Sequence, residues 1–409
     1  MNIGLFEDSS VAQLFPLTWL RTPCELLCGC DRLIDKVQAL VGPVRRIWTR
    51  AALQSAIAGR FSLPSAAPQD DWLLLNAATL ATGVVKGPAA GVAWMQNGRL
   101  VAVRLTGAQV AALSPEWSST AAGIESVIRG LKHEAPPNLL RLIEWPWDLI
   151  AANRAELIRQ CSRGGAMQSA IGPGVHIVNP AGVHVGANVT LKPGVVLDAE
   201  DGPIHVSDGA QVQANAVIVG PCFVGDKTII RPTAVIRENT SIGPVCRVGG
   251  EVEASILLGY SNKQHDGFLG HSCVGAWVNL GADTVTSDLK NTYGTIRVAI
   301  NGVEVESGQR FIGSFIGDHA KTGIGTILPT GCVIGVASNV FRRAPIPRFV
   351  PSFGWLTDDG LSEYRVERAL EIATTVMSRR QITLSDVETE LLRSVAATAR
   401  HVEAAGWKH

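Results

Sequence analysis

The stretch with the clearest chemistry surrounds His265. It reads Gly-Tyr-Ser-Asn-Lys-Gln-His-Asp-Gly-Phe-Leu-Gly over residues 259–270. Because this histidine stands among polar residues and glycines and not on an apolar face, it could take a proton from an amine or a hydroxyl near pH 7. Asp266 is its neighbour, but adjacent side chains usually point apart, so a backbone carbonyl could orient the ring instead. The alternative is a solvated loop histidine without a chemical role.

A second candidate site lies near the N-terminus. Residues 15–27 read Phe-Pro-Leu-Thr-Trp-Leu-Arg-Thr-Pro-Cys-Glu-Leu-Leu and supply the polar side chains of Thr18 and Arg21. Asn76 follows an apolar run that begins at Trp72. Such positions after buried strands are where α/β sheets bind ligands.

A strict six-residue spacing organises the middle of the chain. A helix would need a period of about 3.6 and a strand a period of about two. Period six is typical of hexapeptide repeats, in which each short strand covers one face of a prism, its aliphatic residue points to the axis and a small residue fits the corner. The aliphatic set is Val206, Val212, Ile218, Val224, Ile230, Ile236, Ile242 and Val248, and the small set is Ala210, Ala216, Cys222, Thr228, Ala234, Thr240 and Cys246.

The repeats extend on both sides of this array and are interrupted twice. Residues 259–267 and 287–310 are predicted to leave the prism as loops that carry specificity. The flanking repeat positions are Ile171, Ile177, Val185, Leu191 and Leu197 before the array, and Val274, Leu280, Leu328, Ile334 and Val340 after it.

The remaining parts divide the chain into four predicted regions. Short apolar runs (2–6, 44–48, 72–75, 91–95, 100–104) alternate with helical stretches (30–39, 49–58), which predicts a Rossmann-like α/β domain over residues 1–146. Asp148 is placed to cap a helix that runs to about Arg163, and Ser162-Arg163-Gly164-Gly165 then releases the chain, so residues 147–168 are a linker arm. The β-helix takes residues 169–355. Two amphipathic helices (361–380, 384–400) within 356–409 are predicted to cap the solenoid, in preference to forming a catalytic lid.

Composition excludes several classes of partner. Thirty-six basic residues balance thirty-six acidic ones, so no overall field draws the chain to nucleic acid or to an anionic membrane. The N-terminus lacks a basic start followed by an apolar core, and no apolar run approaches about 18 residues, so a cytoplasmic location is expected. Cys24, Cys28 and Cys30 cluster without a fourth ligand, which favours buried free thiols over a zinc site.

The N-terminal segment resembles the signature of sugar nucleotidyltransferases, a Gly-rich loop followed by Pro-Leu-Thr, a Pro-Lys pair and a Leu-Leu pair. Here Phe-Glu-Asp-Ser-Ser-Val at 6–11 replaces the Gly-rich loop, Cys24 replaces the lysine, and Asn76 follows the strand where the family has a magnesium-binding Asp. Either the nucleotide site is rebuilt around Thr18, Arg21 and Asn76, or it has lost phosphoryl chemistry. The chain is closer to a divergent branch in which an acidic start precedes Pro-Leu-Thr and Arg. Mg²⁺ remains a candidate cofactor, and its ligands are not assigned.

The stretch from His265 is similar to the acetyltransferase half of the bifunctional enzymes that make UDP-N-acetylglucosamine. That family joins a nucleotidyltransferase domain to a left-handed β-helix in the order found over residues 1–355. The matching positions after His265 are Leu269, Gly270, Gly275, Asn279, Gly281, Ala282 and Thr284.

This second resemblance implies roles residue by residue. His265 is the expected general base, Asn279 the sugar ligand, Arg231 a phosphate ligand, and Ala282 part of the acetyl-CoA cleft. Gly325 and Thr326 are small residues that could let the pantetheine chain lie along the prism. A plain solenoid turn is equally open for these two and for the second loop histidine, His319.

Two departures leave the acceptor undetermined. Phe268 stands where the family has Tyr, and Glu253 stands where it has a substrate-binding lysine, so Lys263 is the candidate to supply the missing cation. The acceptor is an amino sugar phosphate, another amino- or hydroxy-sugar, or a nucleotide sugar.

The leading hypothesis is therefore a homotrimeric sugar-nucleotide transferase that uses acetyl-CoA. The rivals are a non-catalytic sugar-nucleotide-binding or scaffold protein, and a nucleotidyltransferase whose β-helix only builds the trimer.

Overall fold

In the computed structural model, which describes residues 1–66, 70–161 and 165–408, the apolar N-terminal runs form one six-stranded mixed sheet. Asn2–Phe6 pairs in parallel with Val44–Trp48 on one side and with Trp72–Asn76 on the other. Arg99–Leu105 continues the sheet antiparallel to Trp72–Asn76. Both central strands are buried along their whole length, as parallel strands covered on both faces should be. Their carboxyl ends meet, and the predicted α/β domain is confirmed.

All the predicted strands and helices of this part are present, with shifts at their ends. Helix Leu33–Leu40 begins later than predicted because Leu27–Cys28 and Asp31–Arg32 form a short hairpin before it. The strands of the described N-terminal part are Asn2–Phe6, Leu27–Cys28, Asp31–Arg32, Val44–Trp48, Trp72–Asn76, Thr79–Ala81, Val92–Gln96, Arg99–Leu105, Lys132–Glu134 and Leu140–Leu142; its α-helices are Leu33–Leu40, Ala51–Arg60, Gly107–Ala111 and Ala121–Ile128, and its 3₁₀ helices are Ser9–Leu14, Pro23–Glu25 and Trp117–Ser119.

The six-residue repeats form a parallel β-solenoid. Successive coils stack in register, for example Val206 on Val224 and Val224 on Ile242. All eight aliphatic residues of the array, and all seven small residues, have no exposed surface, and most of them belong to one apolar core. The predicted parallel β-helix is confirmed, and its left hand stays a prediction.

Three sheets make the faces of this solenoid. The arm-side sheet lies next to the helix Pro146–Cys161, the helix-side sheet lies next to the C-terminal helices, and the third is called the open sheet. The arm-side sheet has nine strands: Val183–Val185, Ile204–Val206, Cys222–Val224, Thr240–Ile242, Ile256–Gly259, Cys273–Ala276, Ser314–Ile316, Cys332–Ile334 and Phe349–Val350. The helix-side sheet consists of Thr190–Leu191, Gln211–Val212, Ile229–Ile230, Arg247–Val248 and Asn262–Lys263, then Lys321–Thr322, Asn339–Val340, Gly354–Thr357 and Gly360–Glu363. The open sheet consists of His176–Val178, Val196–Asp198, Val217–Val219, Val235–Ile236, Glu251–Glu253 and Phe268–Gly270, followed by the pair Val285–Thr286 and Ile327–Leu328.

Of the two predictions that a segment leaves the prism as a loop, one is wrong and the other is confirmed. Residues 259–267 do not leave the prism, because Asn262–Lys263 pairs with Arg247–Val248 as a regular coil. The polar composition was misleading because Lys263 occupies an inward position in register with Val248 and remains buried. Residues 287–310 do leave the solenoid, as the antiparallel hairpin of Arg297–Ile300 and Val303–Glu306. Asn301 at its tip donates its Nδ2 to the carbonyl of Ala12, 3.0 Å away, so the hairpin reaches the N-terminal domain.

Helices join the two main parts. The arm helix Pro146–Cys161 packs between the N-terminal domain and the arm-side sheet, where Lys36 bonds Glu156 (Nζ to Oε2, 2.6 Å) and Asn153 donates to the carbonyl of Asn239 (2.8 Å). Its predicted end near Arg163 and residues 162–164 lie outside the described residues. The C-terminal helices are Val366–Ser378 and Asp386–Val402, with a 3₁₀ turn at Ala404–Lys408. They pack on the last coils and on the loop of Phe15 and Trp19. The predicted domain boundaries stay predictions.

Candidate functional sites

The first candidate site is the edge where each helix-side strand turns into the open sheet, called the open edge below. A β-carbon on Gly249 would lie 2.7 Å from the Gln264 carbonyl oxygen and 3.1 Å from the Arg231 β-carbon, so these three residues stack on successive coils. Gly325 N–H donates to the carbonyl of Ala282, 2.8 Å away, on the coils that follow. The open edge is therefore Arg231, residues 249–250, 264–267, 281–284 and 323–326.

Within this edge the backbone of His265 is fixed and its ring is free. Lys263 Nζ donates to the carbonyl oxygens of His265 (2.6 Å) and Gly249 (3.0 Å), and burial lowers the pKa of this lysine to about 8. The imidazole of His265 is exposed and forms no hydrogen bond or ion pair with any residue that the structure describes, Asp266 included. Lys263 thus holds the corner from inside, and His265 presents both ring nitrogens to solvent.

The predicted acceptor residues flank this edge on its two faces. Asn279 is exposed on the helix-side sheet, where its Oδ1 faces Asn262 Nδ2 at 3.4 Å. Phe268 lies on the open sheet, half-buried. Glu253, farther along the open sheet, lies 3.6 Å from Arg237 (Oε2 to Nη1), and burial raises its pKa above the ordinary value. Glu253, which stands where the family has a lysine, is therefore paired with Arg237. Lys263 is not the partner of this carboxylate.

The predicted acyl-CoA residues lie on the last coils of the open edge. Thr326 is buried and donates its Oγ1 to the carbonyl of Gly323 (2.9 Å). A β-carbon on Gly325 would meet no atom within 4 Å, so the space beside it is open. The neighbouring side chains of Ile324 and Ile327 are 82% and 68% exposed, which makes this stretch apolar and accessible.

The second candidate site lies at the carboxyl ends of Asn2–Phe6 and Trp72–Asn76. The structure does not bring its three predicted residues together. Thr18 is buried and donates to the carbonyl of Val11 (3.3 Å), and Asn76 donates its Nδ2 to Asp8 Oδ2 (2.7 Å). Arg21 points to the solenoid, where its Nη1 lies 2.9 Å from Asp318 Oδ1.

Two arginines that the sequence did not point to complete this site. Arg50 pairs with Glu7 and donates to the carbonyls of Thr18 and Trp19, and burial lowers the pKa of its guanidinium to about 9. Arg99 Nη2 lies 2.9 Å from Asp8 Oδ1. The acidic residues in place of the Gly-rich loop are therefore neutralised within the protein. No local sequence signal could have identified these arginines, because each reaches its partner only through the fold.

Several buried polar atoms at these strand ends have no hydrogen-bond partner among the described residues. Buried polar groups are normally paired, so such a cluster is suited to a polar ligand. Trp117 lies beside the strand end, with its ring centroid 5.1 Å from that of Phe6. The unpaired atoms are Glu7 Oε2, Thr49 Oγ1, Arg99 Nη1, Trp117 Nε1 and Ser118 Oγ.

The same geometry does not fit a magnesium ion. Mg²⁺ prefers carboxylate and water oxygens that are free to coordinate it. Here Asp8 is taken by Arg99 and Asn76, and Glu7 is taken by Arg50. Across the described ranges, no group of three or more His, Cys, Asp or Glu side chains could hold a metal ion.

The second loop histidine lies on a different edge, where arm-side strands turn into the helix-side sheet. This covered edge contains Trp277, Asp318 and His319, under the loop of Arg21 and the C-terminal helices, around a cavity of about 60 Å³. Burial lowers the pKa of His319 to about 3, and its Nδ1 has no partner among the described residues. A histidine in this position stays neutral near pH 7 and is poorly suited to accept a proton there.

The cysteines are free thiols in the described chain. Cys24 and Cys28 are buried, and burial raises the pKa of Cys28 to about 12. Cys30 Sγ lies 2.7 Å from Cys161 Sγ.

Comparison with known proteins covers different parts of the chain. Residues 3–163 match the family model described as sugar nucleotidyl transferase. A bifunctional sugar-1-phosphate nucleotidylyltransferase/acetyltransferase of Sulfurisphaera tokodaii is 28% identical over 163 residues, which are 40% of this chain and 39% of that protein. The bifunctional protein GlmU of Methanococcus vannielii is 28% identical over 190 residues, which are 46% of this chain and 40% of that protein.

The predicted family resemblance is confirmed. The chain covers about two fifths of the length of these bifunctional relatives. A crystal structure of UDP-N-acetylglucosamine acyltransferase aligns over 58% of this chain and 93% of its own, at 15% identity and a TM-score of 0.30, and this likeness by itself supports neither fold nor function. In the part of the chain that the structure describes, no helix has the length and apolar character needed to cross a membrane.

Proposed function

We propose that this chain acts in sugar-nucleotide biosynthesis and transfers an acyl group from acyl-CoA to an amino sugar phosphate or a nucleotide sugar at the open edge. The observation that carries the proposal is the stacking of Arg231, His265, Ala282 and Gly325 on one accessible edge of the solenoid. Residues far apart in the sequence and expected to share one reaction lie along one line. The similarity to a bifunctional nucleotidylyltransferase/acetyltransferase and to a bifunctional protein GlmU supports the same class of activity.

In this proposal His265 is the general base. Its exposed ring takes the proton from the acceptor amine or hydroxyl as the new bond to the thioester carbon forms and the bond to sulfur breaks, and the proton passes to the thiolate that leaves. Positioned bases of this kind contribute about 10²–10⁴-fold in rate. Arg231, Asn279 and Phe268 hold the acceptor, and Lys263 acts indirectly by fixing the corner that carries His265.

Acetyl-CoA is the proposed donor, with Ala282, Gly325 and Thr326 along its path. The exposed side chains of Ile324 and Ile327 offer apolar surface to the pantetheine chain. Thr284 Oγ1 and Thr322 Oγ1 bond each other at 2.7 Å, which ties two coils together behind this wall. Asn279→Ala should chiefly raise the acceptor KM, because this side chain lies away from the acyl-CoA path.

The N-terminal domain is proposed to bind a sugar nucleotide with Arg21 as the phosphate contact, whereas the predicted Thr18 and Asn76 are buried and bonded within the protein. Arg21 can reach a phosphate only if it leaves Asp318, so binding would couple this loop to the solenoid. The unpaired donors near Trp117 support a polar ligand at the adjacent strand ends. We assign no step to magnesium.

The proposed assembly is a homotrimer in the cytoplasm. The outward side of the open sheet has a row of aliphatic residues, of which Val235 is 38% exposed and Ile327 is 68% exposed. A closed cyclic assembly would bury such a row and could complete each open edge from a neighbouring copy. Light scattering should give three copies at micromolar concentration, and a fully active monomer would contradict this assembly.

Product formation tests the proposal against its rivals. The chain is incubated with acetyl-CoA and glucosamine 1-phosphate or a nucleotide amino sugar, and in a separate reaction with UTP and a sugar 1-phosphate, and products are measured by mass spectrometry. An acylated sugar supports the proposal. Nucleotide sugar alone would indicate a nucleotidyltransferase with a structural solenoid, and no product with tight sugar-nucleotide binding would indicate a binding or scaffold protein.

A further inference from the structure

A groove of about 520 Å³ lies between the arm helix and the solenoid, on the edge where open-sheet strands turn into the arm-side sheet. Its wall includes Trp147 and Arg154 from the helix, His271 from the solenoid, and Arg310 and Phe311 from the end of the inserted hairpin segment. Small-molecule sites typically have volumes of about 300–1,000 Å³, so the groove has the size of a ligand site. It shares no residue with the open edge.

The polar centre of this groove is a histidine with a carboxylate partner. His271 Nδ1 lies 2.8 Å from Asp288 Oδ2, and the two side chains are 22% and 16% exposed. Among the histidines that the structure describes, this is the one paired with a carboxylate. Such a pair fixes the orientation of the ring and leaves Nε2 available to a ligand in a fixed direction. His265, by contrast, has no orienting partner.

The rest of the wall combines cationic and aromatic groups. Arg154 is exposed and donates to Asn239 Oδ1 (3.1 Å), and Arg310 is exposed as well. Neither arginine forms an ion pair with another described residue, whereas the nearby Glu253 is within reach of Arg237. Phe311 is 49% exposed and its ring lies against that of His271, with centroids 5.1 Å apart.

These groups match the chemistry of a phosphorylated sugar. Guanidinium groups bind phosphate oxygens through paired N–H donors. An exposed aromatic face packs against the C–H face of a sugar ring, and the Nε2 of a histidine held by a carboxylate accepts a hydrogen bond from a sugar hydroxyl.

We infer that this groove is a second ligand site that binds a sugar phosphate, with Arg154 and Arg310 at the phosphate, Phe311 against the ring and His271 at a hydroxyl. The inference does not depend on the role of His265, because the strand Phe268–Gly270 separates the two edges.

Calorimetry on the full chain tests the site with glucose 1-phosphate as the probe. His271→Ala and Arg154→Ala should each weaken binding by at least about tenfold, because the first removes the hydrogen bond to a sugar hydroxyl and the second removes a charge-assisted hydrogen bond to the phosphate. Phe311→Ala should weaken it as well, and this variant removes a ring that is 49% exposed. Arg129→Ala, which changes an exposed arginine outside the groove, should leave the affinity unchanged.

Two ligand controls separate a sugar phosphate site from a simple anion site. Inorganic phosphate and methyl glucoside should each bind more weakly than glucose 1-phosphate, because each offers only part of the chemistry. Equal affinity for inorganic phosphate and glucose 1-phosphate would overturn the inference. Wild-type affinity in His271→Ala, Arg154→Ala and Phe311→Ala would overturn it too.

Discussion

The open edge and the covered edge of the solenoid each carry a histidine at a corner, and the surroundings of these two histidines are opposite. His319 on the covered edge is 6% exposed, lies parallel to the ring of Trp277, and has a pKa lowered to about 3 by burial. His265 on the open edge is exposed and has no side-chain partner among the described residues. Both histidines lie in turns that join two sheets of the solenoid, so what packs outside the turn decides whether the ring is accessible. Sequence spacing alone does not distinguish the two.

The covered edge joins the parts of the molecule, and the open edge leaves its side chains available. Arg21 crosses from the N-terminal loop to Asp318, and Glu403 of the C-terminal segment accepts hydrogen bonds from Trp19 Nε1 (2.8 Å) and Ser352 N (2.6 Å). Arg21, Ser352 and Glu403 are paired because burial without a partner is costly. His319 Nδ1 and Asp318 Oδ2 have no hydrogen-bond partner among the described residues. We therefore expect substitutions on the covered edge to change stability, and substitutions on the open edge to change activity.

The largest effect on stability should come from a substitution in the apolar interior of the solenoid, which supports both edges. Ile236 has no exposed surface and faces the axis, so Ile236→Asp would bury a charge without a partner and should cost more than about 4 kcal/mol of unfolding free energy. Gln211 lies on the strand Gln211–Val212 of the helix-side sheet, points outward and is exposed. Gln211→Asp, which lies outside the proposed trimer interface, is the control, and thermal unfolding should show a large loss for the first variant only. Equal stability of the two variants would mean that the inward face is wrongly assigned.

The interior could be predicted from the sequence, and the covered edge could not. A six-residue period is a direct consequence of the coil geometry, so each aliphatic residue from Val206 to Val248 identified its own position. Arg21 and Asp318 are 297 residues apart, so their pairing depends on how the N-terminal domain packs on the solenoid. Arg99 and Asp8, which are 91 residues apart, meet through the fold of the N-terminal sheet. The inward position of Lys263 was mispredicted for another reason. A long amphipathic side chain can occupy an inward position when its Nζ reaches the carbonyl oxygens of the corner. His265 was singled out by its polar setting together with the family resemblance, whereas the His271 pair with Asp288 was missed because 17 residues separate them.

Removing the ion pair between Arg21 and Asp318 on the covered edge should have the next largest effect on stability. Arg21→Ala leaves the carboxylate of Asp318, which is 2% exposed, without its cation, and the unfolding free energy should fall by about 3 kcal/mol. The Ala276 N–H still donates to Asp318, which limits the loss. The same variant should lose affinity for a uridine sugar nucleotide in calorimetry. Arg21→Ala/Asp318→Asn should recover stability without recovering binding, and unchanged nucleotide affinity in Arg21→Ala would remove Arg21 from the proposed site.

The same edge should make stability depend on pH. Burial raises the pKa of Glu403 to about 7 from an ordinary value of 4.5, so the folded state binds more protons than the unfolded state between these values. The contribution of Glu403 to the unfolding free energy should therefore fall as pH rises from about 4.5 to about 7, by on the order of 2–3 kcal/mol, while His319, whose pKa burial lowers to about 3, contributes in the opposite direction below about 6.5. Denaturant titrations at several pH values should therefore show this fall in the difference between the wild type and Glu403→Gln. Identical slopes in both would show that Glu403 does not titrate in this range.

The smallest effect on stability is expected at His265, and the largest on turnover. His265→Ala should change the unfolding free energy by less than about 0.5 kcal/mol, since the side chain is exposed and unpaired. The direct test is the rate of CoA release from acetyl-CoA in the presence of the best acceptor, measured for the wild type, His265→Ala and His176→Ala, an exposed histidine elsewhere on the open sheet. The account predicts that His265→Ala lowers this rate by about 10²–10⁴-fold with acetyl-CoA affinity nearly unchanged, and that His176→Ala has no effect. Wild-type turnover in His265→Ala would contradict the assignment of the open edge as the acyl-transfer site.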